Sequence, residues 1–93
     1  MRCFKPEDKL SRSENLLATD LDQETVLMSI EAGAYYGMAD TARTIWEKLE
    51  KPLTFSALVN ELVKEYEIAP DACAAELQGF LGEMEREGLL RVE

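Results

Sequence analysis

Histidine is absent from this 93-residue chain. That removes the commonest general base near neutral pH, the usual zinc and haem ligand, and every Ser-His or Cys-His catalytic pair. Cysteine is scarce: Cys3 and Cys73 stand far apart and form no CxxC. Two isolated thiols fit a reducing cytoplasm better than a disulfide does. Basic residues are few, ten Lys and Arg against nineteen Asp and Glu, for a formal charge of -9. Such a field repels phosphate backbones and acidic membrane surfaces, which disfavours nucleic-acid and lipid binding. No apolar run approaches the ~20 residues of a membrane-spanning helix, and Met1-Arg-Cys-Phe-Lys-Pro6 lacks the apolar core of a secretory signal. Phosphate-cradling glycine loops, nucleophile elbows and metal-ligand clusters are also missing. Most carboxylates fall opposite apolar helix stripes, as a solvated surface requires, and a turn accounts for Asp20 and Asp22. No enzymatic activity is expected.

What remains is enough for one small fold. A hydrophobic fraction of 46% and a charged fraction of 31% describe a single domain with one modest core. Residues 1–8 read as an N-terminal arm, with Pro6 discouraging regular structure, and residues 9–93 as the domain. Lys9–Arg12 reads as a short extended piece. Asn15–Leu21 alternates weakly, and Asp22-Gln23 forms a tight connection into Thr25–Ile30. In that strand Val26, Met28 and Ile30 share one face, and Thr25, Leu27 and Ser29 the other. Glu31-Ala32-Gly33 turns the chain, with Gly33 free to take positive φ. Ala34–Met38 returns as a third strand, which makes an antiparallel meander with the middle strand central.

Three helices follow. Asp40 is placed as the N-cap of the first, whose Ala42, Ile45, Trp46 and Leu49 fall on one stripe. Thr54 opens the second, with Phe55, Leu58, Val59, Leu62 and Tyr66 on one face. Pro70 opens the third at a first helical position. Its stripe is Cys73, Leu77, Phe80 and Met84, with Ala74 and Leu81 beside it, and Gly88 stops it as a C′ residue. Leu89–Val92 reads as a strand or as a plug beneath the sheet. Strands followed by helices give an α+β fold, and the helix pair with its Pro-containing turn has the arrangement of a winged helix-turn-helix.

A winged helix raises DNA binding, but the third helix carries Asp71, Glu76, Glu83, Glu85 and Glu87 against the single Arg86, whereas phosphate anchoring and base readout need Arg and Lys there. Peptide binding has positive features. Ala34–Met38 contains no charge and no proline, the residues that usually blunt a sheet edge, so its free N–H and C=O groups are a template for an added strand. The third helix can supply side-chain pockets beside it. Gly79 and Gly82, each costing roughly 1 kcal/mol against alanine in a helix interior, would allow close approach. The Leu77/Phe80/Met84 stripe reads as core or as pocket lining, Trp46 as core, and Gly37 as a bulge. Tyr35 and Tyr36 point to opposite faces, so at most one is core.

Several segments in order carry a resemblance: the Val26-Leu27 strand, the Glu31-Ala32-Gly33 turn, Tyr35-Tyr36-Gly37-Met38, the small-residue start of the first helix and Ile45-Trp46-Glu47. Thr54, Leu58-Val59 with Leu62, and Gly88-Leu89-Leu90 complete it. Together they resemble the PqqD-like proteins over roughly residues 9–92. The Tyr-Tyr-Gly and Ile-Trp segments are more similar to the stand-alone recognition proteins of lasso-peptide clusters than to the pyrroloquinoline-quinone protein. The resemblance implies a RiPP recognition element, a non-catalytic winged-helix module without cofactor or metal. Such a module holds the leader of a ribosomally made precursor peptide and presents it to modifying enzymes. In lasso systems these are a leader peptidase and a macrolactam synthetase; in quinone-type systems, a radical S-adenosylmethionine enzyme. The family's leader adds beside the third strand and packs on the third helix. Carried over, the peptide-binding residues are Ala34, Tyr35, Tyr36, Gly37 and Met38 on the strand, and Cys73, Glu76, Leu77 and Phe80 on the helix. The alternatives are a peptide chaperone for a radical enzyme and a winged-helix transcriptional regulator, the latter opposed by the acidic third helix.

Overall fold

The computed structural model describes residues 3–93; Met1 and Arg2 of the arm lie outside the described residues. In chain order the elements are β1 (Lys9–Arg12), β2 (Leu16–Leu21), β3 (Glu24–Ser29), β4 (Ala34–Ala39), α1 (Asp40–Lys48), β5 (Leu53–Thr54), α2 (Phe55–Tyr66), α3 (Pro70–Arg86) and β6 (Leu90–Val92). The α+β architecture expected from the pattern is present, with two antiparallel sheets. One is the meander β2-β3-β4; the other has the order β5-β1-β6. The meander is the sheet on which the candidate site is built, so its register matters most.

Its pairing is continuous. Leu16 to Leu21 run opposite Ser29 to Glu24, and Glu24 to Ser29 run opposite Ala39 to Ala34. Val26 faces Gly37 without an extra residue, so Gly37 is a regular strand position and not a bulge. A Cβ there would sit 3.3 Å from Glu24 Oε1, which lies across the strand pair on the same face. Two residues, Asp22 and Gln23, close the first hairpin, with Asp22 at φ 51°. Gly33, at φ 64°, turns the second as its lack of a Cβ allows.

The middle strand alternates as its sequence indicates, but its more polar face is the buried one. Thr25, Leu27 and Ser29 are buried, while Val26 and Met28 are half-buried and Ile30 is exposed. The two hydroxyls stay satisfied: Thr25 Oγ1 donates to Asp20 Oδ1 at 2.7 Å, and Ser29 Oγ accepts the Ala32 amide at 3.2 Å. Asp20 is therefore a strand residue holding a buried threonine, not part of the turn.

The helices follow their stripes with local differences. In α1, Ile45, Trp46 and the following Leu49 are buried and Ala42 half-buried. Asp40 is not its N-cap. Ala39 occupies that position without a side-chain cap, and Asp40 is the first helical residue at φ 53°, so its carboxylate serves the helix only through its charge in the first turn. Thr54 is the N-cap of α2 and accepts the Ala57 amide at 3.1 Å. Tyr66, at the C-terminal end of the apolar face of α2, is exposed, and its hydroxyl donates to Thr44 Oγ1 at 2.8 Å. In α3 the buried stripe is Cys73, Leu77, Leu81 and Met84, with Phe80 half-buried at its edge. The helix ends as expected at Gly88, φ 77°, where the Gly88 amide donates to Glu85 O and the Leu89 amide to Met84 O, the paired bonds of a Schellman motif.

Leu89–Val92 contributes a strand rather than a plug: β6 pairs with β1, Leu10 opposite Val92 and Arg12 opposite Leu90. The described part of the arm is packed. Phe4 is buried and stacks on Phe55 with centroids 6.1 Å apart. Its amide donates to Gln78 Oε1 at 2.7 Å and its carbonyl accepts Gln78 Nε2 at 2.8 Å. Trp46 is core, covered by Arg12, whose guanidinium lies 4.3 Å from the ring centroid and donates twice to the Trp46 carbonyl. Cys3 is exposed, Cys73 is buried, and both are free thiols.

Candidate functional site

The β4 strand is a terminal strand of its sheet. It pairs with β3 on one side, and no described strand pairs with it on the other. Successive residues of an antiparallel strand direct their N–H and C=O groups alternately to the two sides, so every second residue of β4 offers its pair to the open edge. Packing of β4 is chiefly on β3 and α1, not on α3. The span between β4 and α3 is crossed by a side-chain link: Tyr36 Oη donates to Glu87 Oε2 at 2.9 Å.

The five strand residues singled out from sequence lie together on this edge. Met38 is buried, Ala34 and Tyr36 are half-buried, and Gly37 and Tyr35 are exposed, Tyr35 to 73%. Tyr35 and Tyr36 do take opposite faces. Tyr36 packs against the core, whereas Tyr35 stands on the outer face of the sheet opposite Met28.

The four helix residues are also brought together, although not directly against the strand. Cys73, Glu76, Leu77 and Phe80 line one side of an apolar pocket of about 360 Å³. Its other walls come from α1 (Thr41, Ala42, Ile45), from α2 (Leu62, Tyr66) and from Ile68 in the following loop. Those wall residues were not legible as site residues, because apolar positions on α1 and α2 read equally well as core. The available signal was Tyr66 and Ile68, two large apolar groups close to Pro70 where the chain leaves one helix for the next. β4 ends at Ala39, and Thr41 and Ala42, two and three residues on, contribute to the pocket wall, whereas no residue of Ala34–Ala39 lines it.

Electrostatics inside the pocket are simple. Burial, and then the nearby Glu76 carboxylate, push the Cys73 thiol above its ordinary range, so it is held neutral as an apolar lining group. Tyr36 is raised as well, first by its hydrogen bond to Glu87, then by burial and by the charge of that carboxylate. Beyond Phe80, the face of α3 carrying Gly79 and Gly82 is open: a Cβ at either position would meet nothing within 4 Å. That face borders a broader depression edged by Glu83, Glu85 and Arg86.

Residues 24–90 match the family model described as coenzyme PQQ synthesis protein D (PqqD). The chain belongs to the PqqD family. The match begins at the first residue of β3 and ends at the first of β6, so it spans the open edge strand and all three helices. The PqqD fold also recurs in solved structures. One described as TbiB1 in complex with the TbiA(beta) leader peptide aligns with a TM-score of 0.77 and 25% identity, covering 85% of this chain and 93% of that one. Another, lasso peptide synthetase B1 complexed with the leader peptide, aligns with the same TM-score of 0.77 at 18% identity over 88% of this chain and 96% of that one. At that lower identity the likeness shows the fold alone. No curated protein sequence matches the chain significantly. No helix among the described residues is long and apolar enough to cross a membrane.

Proposed function

We propose that this PqqD-family chain is a non-catalytic adaptor that binds the leader of a ribosomally made precursor peptide and presents it to modifying enzymes. The leader adds as a strand along Ala34–Met38. An anchoring side chain then enters the pocket lined by Cys73, Glu76, Leu77 and Phe80. The observations that carry this reading are the unpaired, uncharged edge of β4 and the apolar pocket walled by residues that follow it in the chain and by α3. The TbiB1 structure, holding a leader peptide on the same fold, supports it.

Magnitudes explain why both parts are needed. A backbone hydrogen bond contributes about 1 kcal/mol net, so the few that β4 can offer make only a weak complex. Burying one large apolar side chain contributes about 1.5–3 kcal/mol more. The pocket's apolar lining with one carboxylate at Glu76 fits an anchor with an apolar body and a hydrogen-bond donor at its tip, such as tyrosine.

Lasso-peptide maturation is the pathway we favour, because the Tyr35-Tyr36-Gly37 and Ile45-Trp46 segments resemble the recognition proteins of lasso-peptide clusters and the TbiB1 relative is described with a leader peptide. The enzyme partners are then a leader peptidase and a macrolactam synthetase in the cytoplasm. The family's description as a coenzyme PQQ synthesis protein favours a second reading, a peptide chaperone for a radical S-adenosylmethionine enzyme. Calorimetric titration with the precursor leader encoded beside the gene tests the adaptor reading. Saturable one-to-one binding, abolished in a folded edge-strand proline variant, is expected. Undiminished binding by that variant would exclude strand addition.

A further inference from the structure

The inner face of the β2-β3-β4 sheet is packed on the helices, so its outer face should be polar, as the solvent side of an antiparallel sheet usually is. It is not. Leu17, Met28 and Tyr35 stand directly opposite one another across all three strands. Leu21 and Val26 continue the same face, with Thr19 and Glu24 among them, and Ile30 follows just past β3. Leu17, Leu21, Ile30 and Tyr35 are 55%, 57%, 57% and 73% exposed. Contiguous apolar surface of this kind marks an interaction site more often than isolated exposed residues do.

The charges around it say what kind of partner fits. Between Ser13 and Ala42 the chain has no lysine or arginine and six acidic residues: Glu14, Asp20, Asp22, Glu24, Glu31 and Asp40. Asp22 and Glu24 lie at one end of the face and Glu31 at the other. Two of the six are paired with bases outside the stretch, Asp20 with Arg43 at 3.7 Å and Glu14 with Arg91 at 3.1 Å, so the carboxylates that rim the face are Asp22, Glu24 and Glu31. A second copy would set these carboxylates against their like, and a chain of net charge -9 opposes that pairing further. A lysine- and arginine-rimmed apolar surface is the complement.

We propose that this outer face is the docking surface for a modifying enzyme with an apolar centre and a basic rim. The inference rests on the adaptor reading and adds the enzyme's side of it. A strand added at the β4 edge lies in the plane of the sheet and leaves the outer face open, so peptide and enzyme can be held together.

The test uses the full chain with the purified leader peptidase and macrolactam synthetase of the same gene cluster. Leu17 and Leu21 lie on β2, at the edge away from β4, and their exposure lets Leu17→Ser with Leu21→Ser keep the fold, checked by thermal unfolding. The double variant is expected to bind leader as the wild type does, yet to lose at least about tenfold in affinity for one of the two enzymes. Glu31→Lys should weaken the same association, and added salt should weaken it in the wild type. Unchanged association of the double variant with both enzymes would overturn the docking surface while leaving the adaptor reading intact. A photo-crosslinking residue at position 17 that captured only a second copy of the chain would overturn it as well. Failure of the wild type to bind leader would remove the adaptor reading, and this inference with it.

Discussion

The phenol of Tyr36 donates a 2.9 Å hydrogen bond to the carboxylate of Glu87, joining the open edge strand to the C-terminal end of α3. Tyr36 titrates above the ordinary tyrosine range because this bond favours its protonated form. A raised folded-state pKa means that the link's contribution is complete below about pH 10, the unfolded tyrosine value, and is lost as pH rises through the folded value. Glu87→Ala should return the Tyr36 titration toward that value. NMR titration of labelled tyrosine measures it, and an unmoved Tyr36 would mean that another group raises it.

Proline separates the two sides of the edge strand. Tyr36 and Gly37 are consecutive, so one directs its N–H to β3 and the other to the open edge. Proline at the outward position removes a donor needed only by an added strand, and should abolish leader binding with little loss of stability. Proline at the inward position removes a ladder hydrogen bond to β3 and should clearly destabilise the fold. Urea unfolding paired with leader titration of Tyr36→Pro and Gly37→Pro should find one variant of each kind.

Leu77 and Phe80 both line the pocket, but they differ in depth. Leu77 is 3% exposed, and Leu77→Ala should destabilise the fold by about 2–5 kcal/mol through the cavity it leaves. Phe80 is half-buried, so Phe80→Ala should cost less stability while weakening leader binding. Chemical denaturation and calorimetry on the two variants distinguish a scaffold residue from a contact residue.

The thiols should react in a fixed order. Cys3 is exposed, and Cys73 is buried with its thiol held neutral. A maleimide at neutral pH should modify Cys3 first and leave Cys73 protected until the protein unfolds, as mass spectrometry of the labelled peptides will read. Because its folded pKa is raised, the neutral Cys73 thiol contributes stability below the ordinary thiol range and loses it as pH rises through the folded value.

The meander was legible because its turns and alternation are local: Gly33 needs positive φ, and Ala34–Met38 carries no charge. The end of α3 was legible for the same reason, with glycine at 88 supplying the left-handed residue of its cap. Of the second sheet, Lys9–Arg12 and the C-terminal strand were readable as extended pieces, but β5 and the pairing were not. The strand β5 has two residues and β6 three, too few for a period, and their pairing joins Leu10 to Leu53 and Val92 across the chain. Nor could sequence choose the buried face of β3, since Val26, Met28 and Ile30 are more apolar than Thr25, Leu27 and Ser29. Hydrogen bonds within the two hairpins, from Thr25 to Asp20 and from the Ala32 amide to Ser29, satisfy the hydroxyls on the buried face. Asp40 misled because a capping residue type one position from a strand end gives no warning that the strand runs on through Ala39. Half of the candidate site, the β4 edge and the α3 stripe, was readable; the α1 and α2 walls appear only once the helices are packed.

The central claim is that a leader peptide adds to β4 and anchors in the pocket beside α3. An amide-resolved NMR titration of the labelled protein with the cognate leader tests it most directly. The expected result is saturable shifts confined to Ala34–Met38 and to the pocket residues Cys73, Glu76, Leu77 and Phe80. Saturable shifts centred on β2 or β6, with β4 silent, would contradict it.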